Sequence, residues 1–317
     1  MNGIVFEQVP CGLCGSLKSK PFIKARDPLG ISEADFTVVR CGECGLAYQN
    51  PRPTLEALKS FYPEGYWWGE KKPGLLSGIE EGYRRGLLRK ELSLLVRKLP
   101  RGSRILDVGC GQGDMLLLLR EAGYEACGVE NAESAGRFAR EKRGLDVHIG
   151  DLETGPYESG RFDAVAFFHV LEHLADPPSA LTRAQGLLKT AGWLLIQCPN
   201  IESAQFKRFG SRWLHLSLPQ HFYHFSSETL GKMLEKAGFR VVEVGHLSLR
   251  MNPMSAVLSK HPGLLPCVFP AAQGKRGSTA AEKALYLAYT TLARPRVRLE
   301  SWLREGATLT VLARKID

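Results

Sequence analysis

Long apolar runs are missing from this 317-residue sequence: none approaches the roughly 18 residues that a membrane-spanning helix requires. Also missing is a secretory leader, because MNGIVFEQVP has no positively charged start followed by an apolar stretch. No internal repeat is visible, which excludes a solenoid or propeller. Together these absences predict a soluble cytoplasmic protein. A hydrophobic content of 44% is ordinary for globular chains and predicts a sizeable core.

Acidic residues are scarce near the C-terminus. From Arg250 to Asp317 there are eleven Lys/Arg against four acids, so most of the net charge of +9 sits in the last fifth. Such a region suits a phosphorylated or lipid-linked substrate, anionic headgroups giving peripheral membrane contact, nucleic acid, or simply solvent.

Disulfide pairing is not how the eight cysteines read. Four of them form Cys11-Gly12-Leu13-Cys14-Gly15 and Cys41-Gly42-Glu43-Cys44-Gly45, two C-x-x-C-G knuckles 26 residues apart. Each knuckle can wrap two thiolates around one ion, and four thiolates leave no open position. A structural Zn2+ held by Cys11, Cys14, Cys41 and Cys44 is therefore predicted within a zinc ribbon over 1–52. It supplies folding energy to a segment too short to build its own core. A pair of redox dithiols is the alternative reading.

Residues 53–100 read as linker helices, one capped by Thr54 and one near Tyr83 to Leu99, with Tyr66, Trp67 and Trp68 as a lid or as packing contacts between segments. From Arg104 onward, apolar strands alternate with helices: 104–109, 125–130, 146–151, 162–169 and 192–200 are strands. Continuous apolar runs separated by helices predict an α/β doubly wound parallel sheet. Ligands of such sheets bind beyond the carboxyl ends of the strands.

His169-Val170-Leu171-Glu172-His173 matches H-x-x-E-H, a zinc-peptidase pattern. His169 ends a predicted buried strand, however, so the two histidines do not share a long helix, and the peptidase reading is set aside.

After the first strand comes Asp107-Val108-Gly109-Cys110-Gly111-Gln112-Gly113-Asp114. The glycines allow close backbone approach to a ligand, but Asp107 and Asp114 would repel a pyrophosphate. A cofactor carrying a sulfonium and an ammonium suits those charges better. Glu130 can accept the ribose hydroxyls and Asp151 the adenine amino group.

Asp107 to Gly113, Glu130, Asp151 and the segment after FDAVAFFHVLEHLADP resemble the successive motifs of class I S-adenosylmethionine-dependent methyltransferases. The resemblance implies a Rossmann-like, seven-stranded, mostly parallel sheet with an antiparallel last strand, here 239–247 and 307–315. The domain would span 101–317, with a helical insertion at about 248–305 that caps the pocket or rests on a membrane. It further implies that Asp107 and the loop Gly109, Cys110, Gly111 and Gly113 hold the methionine part. Glu130 would bind the ribose, Asp151 and Leu152 the adenine, and His169 would lie near the reactive methyl.

The knuckles before such a domain resemble bacterial methyltransferases with an N-terminal zinc-binding segment, including sugar C-methyltransferases. Leu218 to Ser226 resembles their substrate-side Y-H-E-H motif, with Pro219-Gln220-His221 where H-E-H would stand. His221 is the expected general base, with His169, Tyr223 and His224 as alternates. The expected acceptor is a small molecule: a sugar, nucleotide sugar or lipid-linked glycan intermediate. An RNA methyltransferase and a catalytically inactive cofactor-binding module are the competing readings; the basic residues lie at the opposite chain end from the ribbon, which weighs against RNA.

Overall fold

The computed structural model describes residues 4–62, 75–269 and 278–316, with side chains of the second stretch from residue 82. The expected lid residues Tyr66, Trp67 and Trp68 lie outside the described residues.

The N-terminal strands are β1 (Phe6–Glu7), β2 (Ser19–Arg26), β3 (Asp35–Cys41), β4 (Ala47–Gln49) and β5 (Arg52–Pro53). Two helices follow. Helix α1 (Leu55–Leu58) is capped by the Thr54 side chain, which accepts from the Ala57 amide, and α2 (Leu75–Val96) is longer and begins earlier than its apolar spacing suggested. Leu88, Leu92 and Leu95 of α2 are buried against Ile105 and Leu118, so this helix forms an outer layer of the main sheet.

That sheet is built from β6 (Arg104–Val108), α3 (Asp114–Glu121), β7 (Glu125–Glu130), α4 (Glu133–Arg137), β8 (Val147–Ile149), β9 (Phe162–Phe168), α5 (Pro177–Leu187) and β10 (Leu188–Pro199). Beyond it come α6 (Ala204–Phe209), β11 (Tyr223–His224), α7 (Ser227–Lys236), β12 (Phe239–Gly245), α8 (Met251–Lys260), α9 (Ala280–Trp302) and β13 (Thr308–Lys315). The strand order is β12-β13-β10-β9-β6-β7-β8. β13 runs antiparallel to both of its neighbours, while β10, β9, β6, β7 and β8 run parallel. The seven-stranded doubly wound architecture is thus as expected. The order reverses between β6 and β9, which places the crevice beyond their carboxyl ends.

Differences from the expected elements are local. The helix after β7 continues past α4 as a π-helical turn over Phe138–Lys142. Strand β10 starts at Leu188, straight after α5, and its pairing with β9 is interrupted between Leu188 and Trp193, where Ala191 has φ +51°.

The ribbon sheet has the order β11-β4-β3-β2, so its fourth strand comes from the C-terminal half of the chain. Tyr223 pairs with Tyr48 and His224 with Ala47, antiparallel, and the Gln49 amide donates to the Phe222 carbonyl at 2.8 Å. The insertion after β12 packs Met254, Val257, Leu258, Leu264 and Leu265 against Leu29 of the ribbon and Leu214.

Candidate functional site

The first turn after β6 is shaped by two glycines. Gly109 has φ +68° and Gly113 φ +82°, a region that side chains disfavour. A Cβ at Gly109 would also collide with Val170, and one at Gly113 with Leu145. The loop therefore lies close against the neighbouring strand end. Cys110 turns its thiol toward Gly128 of β7, and its amide donates to the Val129 carbonyl, so it braces the loop instead of facing the crevice.

Asp107 is 2% exposed, and its Oδ1 has no hydrogen-bond partner among the described residues. Burial, together with the charge of Glu130, pushes its carboxyl up to about 8. Burial also raises Glu130, opposed by the amides of Ala132, Gly111 and Asn131; Ala132 donates to Oε1 and Gly111 to Oε2, each at 2.7 Å. Asp114 differs from expectation. Burial pushes it up, but the Arg84 and Arg143 guanidiniums hold it down at about 2. Its charge is matched locally, which leaves Asp107 and Glu130 as the acidic pair of this turn among the described residues. An orphaned buried carboxylate oxygen beside a tightly turned loop fits a cationic ligand and disfavours a pyrophosphate. Asp151 lies exposed beyond the end of β8, and Leu152 next to it is buried.

Across the switch point, β9 is followed directly by His169, whose φ of +56° is unusual for a side-chain-bearing residue. Its Nε2 meets Gln197 Oε1 at 3.0 Å, and the Gln197 amide nitrogen donates to Thr310 Oγ1 at 3.0 Å. Because that amide is fixed, Nε2 carries the proton and Nδ1 is left as the free lone pair. Nδ1 stands 3.4 Å from Glu172 Oε1.

Glu172 is fully buried, and neither carboxylate oxygen has a hydrogen bond among the described residues. His173 and His221 offer donor atoms beside it, and His215 and His224 neighbour His221 in turn. The His173 and His221 rings are 4.5 Å apart and edge-on, and those of His221 and His224 are 6.3 Å apart. Burial lowers all four below the ordinary imidazole range, to about 3 for His215 and His224. His221 is pushed well below that range by burial and by its neighbours His173, His224 and His215. It lacks the near-neutral titration that recommended it as a base.

Tyr223 sits elsewhere. Its hydroxyl donates to the Ala175 carbonyl at 3.3 Å, and a Cβ on Gly12 would approach it to 2.6 Å. It is wedged under the first knuckle, at the joint between ribbon and catalytic domain. Sequence reasoning passed over Glu172, His173, His215 and Gln197 as site residues. The H-x-x-E-H pattern had flagged two of them, but helical spacing was the wrong test, because a single 3-10 turn, Leu171–His173, brings them inward.

The four knuckle cysteines converge, with Cys11 Sγ 3.4 Å from Cys44 Sγ and Cys14 Sγ 3.5 Å from Cys41 Sγ. Thiolates about 2.3 Å from one ion stand roughly 3.8 Å apart, so this cage is close to the required size. The Gly15 amide donates to the Cys11 carbonyl and the Gly45 amide to that of Cys41, giving two like turns. The donor set could hold a soft tetrahedral metal ion.

Comparison with known proteins agrees with this geometry. A family model described as a methyltransferase domain matches residues 81–244. A ubiquinone biosynthesis O-methyltransferase of Bordetella avium is 30% identical over 173 residues, covering 50% of this chain and 70% of that protein. One from Ruegeria sp. is 32% identical over 153 residues, covering 45% and 62%. Among solved structures, a chain from the complex of the Haloferax volcanii Trm112 methyltransferase activator with a putative methyltransferase superposes with a TM-score of 0.50. It shares 17% identity, over 76% of this chain and 92% of that one. With the matched domain spanning the acidic first turn and the histidine-lined strand ends, this chain belongs to the methyltransferase-domain family and is an S-adenosylmethionine-dependent methyltransferase.

Proposed function

We propose that the protein methylates a hydroxyl oxygen of a small-molecule acceptor seated against His169 and Glu172. The observation that carries this reading is the adjacency of two unlike pockets. Asp107 and Glu130 lie at the ends of β6 and β7, and His169 lies at the end of β9, the next strand over. Val170 touches the glycine turn itself.

Asp107 and the Gly109 to Gly113 loop would hold the methionine portion, Glu130 the ribose, and Asp151 with Leu152 the adenine. When bound, S-adenosylmethionine supplies a methyl group already activated by its sulfonium. The chain's task is alignment and removal of the acceptor proton. His169 is the better placed acceptor of that proton: Gln197 fixes its tautomer, and Glu172 stands ready to balance the imidazolium. His221 orients the acceptor.

The O-methyl assignment follows the relatives, which are O-methyltransferases by name. Those names lend no support to a sugar or glycan acceptor. A lipid-linked acceptor suits α9, where Leu285, Leu292 and Leu299 form one exposed stripe beside exposed Arg298, with Trp302 and Arg304 at its end. The ribbon, with Zn2+ on its four cysteines, holds β11 and thereby the acceptor side of the pocket.

The decisive experiment supplies methyl-labelled S-adenosylmethionine and extracts fractionated into hydroxylated small molecules, nucleotide sugars, lipids and RNA. Label in a hydroxylated small-molecule or lipid fraction supports the proposal, whereas label confined to RNA overturns it.

A further inference from the structure

We infer that Glu172, His173 and His221 form a second metal site, distinct from the four cysteines, that takes one divalent transition ion through two imidazoles and a carboxylate. One donor atom from each residue lies within 4.8 Å of the other two. Donors on a common ion with bonds of about 2.0–2.2 Å stand about 3–4.4 Å apart, so the three need close by at most about 0.4 to about 1.8 Å.

The hydrogen bonds fix which atoms are offered. His173 Nδ1 lies 3.0 Å from the Gln220 carbonyl, and His221 Nδ1 lies 2.9 Å from the His215 carbonyl. A carbonyl can only accept, so both Nδ1 atoms carry protons and both Nε2 atoms keep their lone pairs. An Nδ1–H held by a backbone carbonyl is the usual outer-shell support of a ligating histidine. Tyr62 Oη, 3.1 Å from His173 Nδ1, adds to that support.

The carboxylate makes the same point from the other side. Glu172 is 0% exposed and has no hydrogen-bond partner among the described residues, and a buried carboxylate so placed is stabilised by a cation beside it. His169, 3.4 Å away, matches it only when protonated.

Two histidines and one carboxylate leave coordination positions open, as in sites that act on substrate and unlike the closed cysteine cage. An acceptor hydroxyl bound in an open position would lose its proton more readily, the O–H electron pair staying on oxygen and the proton passing to His169 Nδ1. This last step rests on the acceptor reading above, but the binding of the ion does not.

The test is a Mn2+ titration of the full chain, followed by loss of the free-ion paramagnetic resonance signal. Mn2+ favours carboxylate and imidazole over thiolate and so leaves the cysteine site silent. The unmodified protein should bind one Mn2+. Glu172→Gln and His173→Gln should each weaken binding at least tenfold while keeping S-adenosylmethionine affinity, which shows that they are folded. An unmodified chain that leaves Mn2+ free, or a folded Glu172→Gln that binds as tightly as the parent, would overturn the site. Failure to find a hydroxyl acceptor would overturn only the reading of the substrate and leave the titration unchanged.

Discussion

Glu130 reaches back over the first turn to accept the Gly111 amide at 2.7 Å, while its other oxygen accepts the Ala132 amide. One carboxylate therefore sets the loop's shape and still presents lone pairs to the crevice. Glu130→Ala should weaken S-adenosylmethionine binding by at least tenfold in calorimetry, since it removes a ligand group and strands two amides, at about 1–3 kcal/mol for each if buried. Glu130→Gln, which can keep only part of this pattern, should fall between. Unchanged affinity in the alanine variant would contradict the ribose assignment.

The Asp107 carboxyl gives a pH signature. Folded, it is pushed up to about 8, whereas an unfolded aspartate titrates near about 3.9. Between these values the folded chain keeps a proton that the unfolded chain has released, so this group's contribution to stability falls as pH rises from about 4 to about 8. The buried histidines act oppositely: neutral when folded, they lose stability as pH falls through about 6.5. Comparing the parent with Asp107→Asn cancels the histidines. In thermal melts, the variant's advantage should grow from about pH 5 to about pH 8, and a constant difference would show that Asp107 ionises like an ordinary carboxyl. Cofactor affinity of the parent should climb over the same range, as the carboxylate forms to meet the cation.

His169→Ala should lower kcat by about 10²–10⁴-fold, the usual reach of a positioned base, with cofactor affinity within a few fold of the parent. His221→Gln should act mainly on acceptor KM if it positions rather than deprotonates. Equal kcat losses in both variants, with KM unmoved, would count against dividing the roles in this way.

Removing metal from the ribbon should be felt at the pocket. Cys41→Ser or chelation should open residues 4–53 to proteolysis and lower acceptor turnover at least tenfold, because β4 holds β11. Affinity for S-adenosylmethionine should stay nearly constant. Protease resistance equal to that of the parent would argue that the cage carries no structural ion.

Most of the parallel sheet was legible in advance because its central strands are largely buried and read as apolar runs, as in Ala164 to Phe168. The cofactor turn was legible because glycine spacing and acidic charge are local features. Tertiary effects were not. Asp114 looks like a free acid in the chain, yet two arginines from distant segments match it. Tyr223 sat in the motif expected to face substrate, but β-strand alternation sends it to the knuckle while His224 takes the other side. His221 seemed suited to proton transfer from its residue type alone, and only its burial among three other histidines reveals otherwise. The meeting of Glu172 and His173 with His221 spans nearly fifty residues and has no local signature.

The pairing of Tyr48 with Tyr223 has a practical corollary for anyone dissecting or recombining this enzyme. A truncation that begins after Pro53 would leave residues 223 and 224 as a bare edge with unmet amides and carbonyls beside the catalytic crevice. Grafting the N-terminal module onto a cousin, or exchanging it, therefore has to carry the 218–226 loop along as a second, non-contiguous piece of the same cassette.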